Sequence, residues 1–196
     1  MVVGLGNPGR EYVGMRHNAG FRVIDSLAQR LKIDVRRRKF GAYLGESGFA
    51  DKKLILLKPR QFMNCSGQVV ATALGFYRLA LSDLLVVSDD MDLEPGRIRI
   101  RARGSAGGHK GLVDIMEKLG TEEIGRLRIG IGRSVTDTAV DFVLDKPTEA
   151  ERPLLDDAVA RAAEAVLCWV EYGVEAAMNK FNRYGRQSLK EDEAES

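Results

Sequence analysis

The chain has 196 residues, 44% of them hydrophobic, with 30 Lys and Arg against 28 Asp and Glu. That length supports one well-buried core and is short for two ordinary domains. No apolar run approaches the length of a membrane span, and a net charge of +2 by itself identifies no partner.

The N-terminus shows no charged, apolar and small-residue sequence of a secretory signal, so a cytoplasmic protein is expected. Cys65 and Cys168 belong to no CxxC or Cys/His spacing and are read as reduced thiols, without disulfide or zinc. The C-terminal stretch holds Arg186 and Lys190 against Glu191, Asp192, Glu193 and Glu195, a net of −2, which leaves +4 on the body. Residues 1–184 are expected to form a single α/β domain, and 185–196 an acidic, disordered tail.

In chain order, Val2 to Leu5 reads as a buried strand. Phe21, Ile24, Leu27, Ala28 and Leu31 recur at helical spacing between Ala19 and Leu31. The basic run Arg36-Arg37-Arg38-Lys39 reads as a solvated loop, and Ala42 to Phe49 with Lys53 to Leu57 as a hairpin. Ser66 is placed to cap a helix running to about Tyr77, with Val69, Val70, Ala73 and Leu74 inward. "DLLVVSD" has the form of a central strand, "LEPGR" of a turn, and "RIRIRAR" of a strand with Ile98 and Ile100 on one face. The glycine-rich "GSAGGHKGL" opens a helix through Leu119, and "RLRIGIG" is a further alternating strand. Thr148 with Glu151 fits a capping box. It opens a long helix carrying Leu154, Val159, Ala162, Ala163 and Val166, broken at Gly173 before a last helix ending near Phe181.

Strands and helices alternate, which predicts a twisted, mostly parallel, mixed central sheet flanked by helices. Ligands of such folds gather at the carboxyl ends of the strands. The loops expected there are Gly6 to Asn18, Pro59 to Ser66, and Ser88 to Asp92.

Gly4-x-Gly6-x-x-Gly9 has the spacing of a dinucleotide-binding fingerprint. Its context does not fit: the next helix starts only after His17-Asn18, and no strand ends in an acidic residue about 20 positions on. A nicotinamide cofactor is not expected.

The chain has two histidines. His17, in the loop "MRHNAG", is the better candidate base, whereas His109 in "GGHKG" reads as packing or capping at a helix start. A general base needs an orienting partner, and Asp89 ends the "LLVVSD" strand at the edge where sites form. The "DDMD" cluster lacks a phosphate-binding lysine motif and reads as turn capping rather than a Mg²⁺ site. Asn7 and Asn64 lie on the same loop ends, and a carboxamide offers both donor and acceptor. No GxSxG elbow is present, so water is the expected nucleophile of a hydrolase.

In their order, "VGLGNPGREY", "RHNAG", "KPRQFMNCSG", "VVSDDMDLEPGRIRIR", "GSAGGHKGL" and "RLRIGIGR" resemble the bacterial peptidyl-tRNA hydrolase family over residues 2 to about 133. The resemblance implies an enzyme without cofactor or metal that cuts a peptide from the 3′ end of tRNA after premature drop-off. It implies His17 as the base, Asp89 holding and polarising it, and Asn7 orienting substrate or catalytic groups. Asn64 with Phe62 and Met63 would grip the first peptide units and the terminal adenosine, with Tyr12 at the tRNA end and Asn18 among the substrate contacts. Where the family often has Asn, this chain has Lys110, which cannot accept a hydrogen bond but can pair with phosphate. The alternative is a catalytically silent RNA-binding relative like the splicing factors on this fold.

Arg97, Arg99, Arg101 and Arg103 alternate along one strand and form a basic stripe, and Arg126 and Arg128 repeat the pattern. By the resemblance, Arg101 and Arg128 are the phosphate contacts. The partner implied is peptidyl-tRNA alone: no membrane, no obligate protein partner, and a monomer.

Overall fold

Alternating apolar strands and amphipathic helices assemble around one seven-stranded sheet in the computed structural model, which describes residues 1–134, 136 and 138–183. The acidic tail expected at 185–196 lies outside the described residues. The elements are β1 (Val2–Gly4), α1 (Ala19–Leu31), β2 (Arg37–Lys39), β3 (Ala42–Phe49), β4 (Lys52–Pro59) and α2 (Ser66–Tyr77). They continue with β5 (Leu85–Asp90), β6 (Ile98–Arg101), α3 (Lys110–Leu119), β7 (Gly125–Gly130), α4 (Ala139–Leu144), α5 (Glu151–Tyr172) and α6 (Val174–Phe181).

The strand order is β2-β3-β4-β1-β5-β7-β6. The central four strands are parallel, and β2, β3 and β6 join antiparallel. The sheet is therefore the expected mixed one, parallel through its four central strands and antiparallel at its edges. The reason is local: a two-residue turn at Ala50 and Asp51, both with positive φ, folds β3 directly onto β4.

Period-two alternation sends side chains to two cores. Val2, Leu54, Leu56, Leu85 and Val87 face α1 and α5, whereas Val3, Ile55, Leu57, Leu84 and Val86 face α2 and α3. Helices cover both faces, which is why the central strands are apolar on both sides. In α5 the inward residue is Leu155, while Leu154 is 50% exposed. The basic run is not a loop: Arg37–Lys39 pairs with β3 as an edge strand, where charged side chains discourage further pairing. Ser66 does not cap α2. Cys65 holds the cap position, and the buried Ser66 hydroxyl donates to the Met63 carbonyl at 2.9 Å.

The opening glycines are required by helix packing. A Cβ on Gly4 would overlap the Gly20 carbonyl and lie 2.5 Å from Ile24 Cγ1, and one on Gly6 would lie 2.7 Å from the Phe21 ring. A Cβ on Gly20 would in turn overlap the backbone of Leu5 and Val87. The start of α1 thus rests directly on β1 and β5, with the Phe21 N–H donating to the Leu5 carbonyl at 3.1 Å. Gly20→Ala should therefore cost about 2–3 kcal/mol by overpacking. A urea unfolding midpoint unchanged from wild type would disprove this close approach.

Candidate active site

The turn "RHN" is a single 3-10 turn, Arg16–Asn18, immediately before α1. All three side chains are buried, and each is held by a different part of the fold. Asn18 grips the backbone of Asn7: its Oδ1 accepts from the Asn7 N–H at 2.8 Å and its Nδ2 donates to the Asn7 carbonyl at 3.0 Å. With both ends so engaged, Asn18 orients Asn7 and is not among the residues lining the cavity.

Asn7 is then fixed by a second contact. Its Oδ1 accepts the Met63 N–H at 3.0 Å, from the loop after β4. A backbone N–H demands an acceptor, so the carboxamide can sit only one way round. Its Nδ2 is left as a donor without a partner among the described residues, on a side chain that lines the cavity.

His17 Nδ1 lies 2.9 Å from both carboxylate oxygens of Asp89, which is 3% exposed near the end of β5. A carboxylate only accepts, so Nδ1 carries the proton and Nε2 keeps its lone pair. His109 reaches the same group: its Nε2 is 3.1 Å from Asp89 Oδ1. Its Nδ1 accepts the Leu112 N–H at 3.3 Å, capping α3. That cap forces the proton onto Nε2, so His109 also donates to Asp89. Capping was the expected role of His109; its second partner was not foreseen, because a pairing across 20 residues leaves no local spacing signal.

Burial alone would raise the Asp89 carboxyl, but His109 and His17 together outweigh it and hold the group well below the usual carboxylate range. The three residues bring donor atoms within 4.8 Å of one another, a composition that metals also use. In the structure His17 Nδ1 and His109 Nε2 each face the Asp89 carboxylate at hydrogen-bond distance.

These groups floor a cavity of about 380 Å³ at the carboxyl ends of β1, β4 and β5. Met63, Asn64 and Phe62 come from the loop after β4, Tyr12 from the loop after β1, and Lys110 from the first residue of α3. Tyr12 and Phe62 meet edge to face, with ring centroids 6.4 Å apart. The rest of the wall is apolar along α4, at Ala139, Val140, Val143 and Leu144, and at Met91, and it is completed by Gly107, Gly108 and the charged Asp90 and Arg128. The sequence reading missed α4. Its signal was present, since Thr138 accepts from the Asp141 N–H in a Thr-x-x-Asp cap.

Beyond the cavity, β6 and β7 pair so that Arg99 faces Arg128 and Arg101 faces Arg126. Like charges directly opposite one another are unfavourable. Arg128 lines the cavity and pairs with Asp90 at 2.7 Å, whereas Arg101 does not line it. Burial pushes the Asp90 carboxyl up, against the Asp92 N–H and Arg128, which favour its charged form. Arg126 departs from the expected exposed stripe. It is 2% exposed, with its guanidinium donating to the Ser105 carbonyl beneath the glycine-rich loop.

The chain matches the family model described as peptidyl-tRNA hydrolase over residues 1–191. It is 48% identical to the peptidyl-tRNA hydrolase of Syntrophomonas wolfei over 93% of this chain and 99% of that one. It is 50% identical to the enzyme of that name from Thermoanaerobacter sp., over 93% and 98%. Among solved structures, an Arg119Gln mutant of peptidyl-tRNA hydrolase from Acinetobacter baumannii superposes with a TM-score of 0.88 at 39% identity, covering 92% of this chain and 93% of that one.

Proposed function

The chain belongs to the peptidyl-tRNA hydrolase family, and from that premise we propose that it hydrolyses peptidyl-tRNA with water activated by His17. The substrate bond is the ester joining a peptide, or an N-blocked amino acid, to the 3′ end of tRNA. The observation that carries the mechanism is the His17–Asp89 pair, with the bare Nε2 of His17 on a residue that lines the same cavity as the free Asn7 amide.

Nε2 takes a proton from water as the oxygen attacks the ester carbonyl carbon. The carbonyl oxygen becomes an oxyanion, and the preorganised Nδ2–H of Asn7 is the donor proposed for it. Asp89 stabilises the imidazolium that forms. His17 then returns the proton to the departing 3′ oxygen, leaving tRNA with a free hydroxyl and the peptide as a carboxylic acid that releases its proton to solvent. Tyr12, Phe62, Met63 and Asn64 hold the terminal adenosine and the first peptide units, and Asn18 acts through Asn7. Lys110, Arg101 and Arg128 contact phosphate. The enzyme so proposed acts as a monomer in the cytoplasm. No helix among the described residues is long and apolar enough to cross a membrane.

The test is release of the N-acetyl amino acid from N-acetyl-aminoacyl-tRNA, with free aminoacyl-tRNA as control. Cleavage of the blocked substrate is expected. Tight tRNA binding without cleavage would favour the silent RNA-binding relative instead. The Arg101 contact has its own measurement: Arg101→Ala should make the slope of log Kd for tRNA against log salt shallower by about 0.7–0.9. An unchanged slope removes Arg101 from the interface.

A further inference from the structure

His17 and Asn18 reach inward, to Asp89 and Asn7, but Arg16 runs the other way. Its side chain is 5% exposed and stacks on Phe142, with Cζ 4.3 Å from the ring centroid. Nη1 donates to the Phe142 carbonyl at 3.3 Å, and Nη2 pairs with Glu151 Oε2 at 2.6 Å. The Arg16 backbone N–H donates to the Asp145 carbonyl, just past the end of α4, at 3.0 Å. Glu151 is itself held, accepting the Thr148 N–H at 2.8 Å and the Thr148 hydroxyl at 3.0 Å. One side chain and one N–H therefore join the last turn of α4 and the first residue of α5 to the turn that carries His17.

We infer that Arg16 is a positioning residue that couples the α4 wall of the cavity to His17, so that the wall and the base take their places together. This rests on the reading of His17 as the base. With only six residues, α4 is too short to hold its shape unaided, and its place is set by what it is tied to. Arg16 and His17 are adjacent in one tight turn, so a shift of the guanidinium is transmitted to the imidazole through a single peptide unit. A substrate seated against Val140, Val143 and Leu144 presses on the helix that Arg16 holds. Arginine suits this work because its planar fork stacks, donates to a carbonyl and pairs with a carboxylate at once. A lysine in its place could keep the ion pair but has no planar fork to make all three contacts at once.

Two substitutions test the coupling. Glu151→Gln removes the charge yet keeps an oxygen for the Thr148 cap, and Arg16→Lys keeps charge but loses the fork. The expected result is a fall in kcat on N-acetyl-aminoacyl-tRNA of about tenfold for Glu151→Gln and up to about a hundredfold for Arg16→Lys, the scale of a misplaced catalytic group. The Kd for uncharged tRNA should stay within about twofold, the scatter expected of distant, independent sites. The ring ¹⁵N signals of His17 should shift from a single Nδ1–H tautomer toward a mixture. Wild-type kcat and wild-type His17 signals, with only a lowered Tm, would overturn the inference. So would a defect confined to KM, which marks direct substrate contact. If Arg16→Lys does not fold, Glu151→Gln decides alone. A wild-type chain that releases no product counts against the proposed function, whereas the His17 signals still report on the coupling.

Discussion

His17→Ala is expected to reduce kcat by about a thousandfold, the usual scale for removing a positioned general base, while leaving the Kd for tRNA unchanged. The split follows from geometry. His17 is almost wholly buried at the cavity floor, and the cations proposed to meet phosphate stand on other elements, β6, β7 and the start of α3, with Arg128 and Lys110 on the cavity wall. The residual rate would come from the Asn7 donor and from binding alone. Because the substitution also leaves Asp89 with His109 as its remaining imidazole partner, the measurement pairs turnover with a thermal melt. His17→Gln, which preserves more of the volume, serves as the second variant. A purified, folded variant with wild-type turnover would sink the base assignment.

Asp89→Asn should be at least as damaging, by about a thousandfold or more in kcat, for a reason specific to the two imidazoles. His109 is locked as a donor toward this position because its Nδ1 already accepts the Leu112 N–H. The new carboxamide must therefore turn its oxygen to His109. Its NH₂ then stands 2.9 Å from His17 Nδ1, where a carboxylate oxygen was, and competes with the oxygen shared with His109, which lies at the same distance. Wherever Nδ1 accepts from that NH₂, the proton moves to Nε2, and the base presents a proton to water instead of a lone pair. Asp89→Ala, which leaves no group to impose a tautomer, should retain more activity than Asp89→Asn relative to the volume it removes. The pH–rate profile and the ¹⁵N signals of His17 read the tautomer directly. An Asn variant with the Nδ1–H signature and near-wild-type turnover would refute this account of Asp89.

The strands and helices that position the site were largely legible, because burial on both faces writes continuous apolar runs and helices write a 3.6-residue period. Errors fell where the signal is short or shared. Arg36 to Lys39 reads as a solvated loop because three charged residues satisfy an edge strand as well as they satisfy a loop. Leu154 and Leu155 differ by one helical step, and their order of burial is set by the angle at which α5 lies on the sheet. Arg126 and Arg128 look alike in "RLRIGIG", yet one is beneath the glycine-rich loop and the other at the cavity. Of the candidate residues, Asn7, His17, Asn64 and Asp89 were named from loop position and donor chemistry. Asn18 was grouped with the substrate contacts, although its two polar atoms are both taken by the Asn7 backbone.

The opening "GLGNPG" shows where the division lies. Sequence alone argued against a dinucleotide at its glycines, since the immediate helix and the acidic partner are missing from local order. It also determined the family, through six segments whose types and succession are highly specific. Only the tertiary structure decided why Gly4 and Gly6 are glycine, which way round the Asn7 carboxamide sits, that Asp89 receives two imidazoles, and that Arg16 ties α4 to the turn carrying His17. The physical reason is the same in each case. Periodicity and propensity are written over a few neighbouring residues. Close approach, tautomer and ion pairing are settled between residues tens or more than a hundred positions apart, once the sheet has brought them within hydrogen-bond distance.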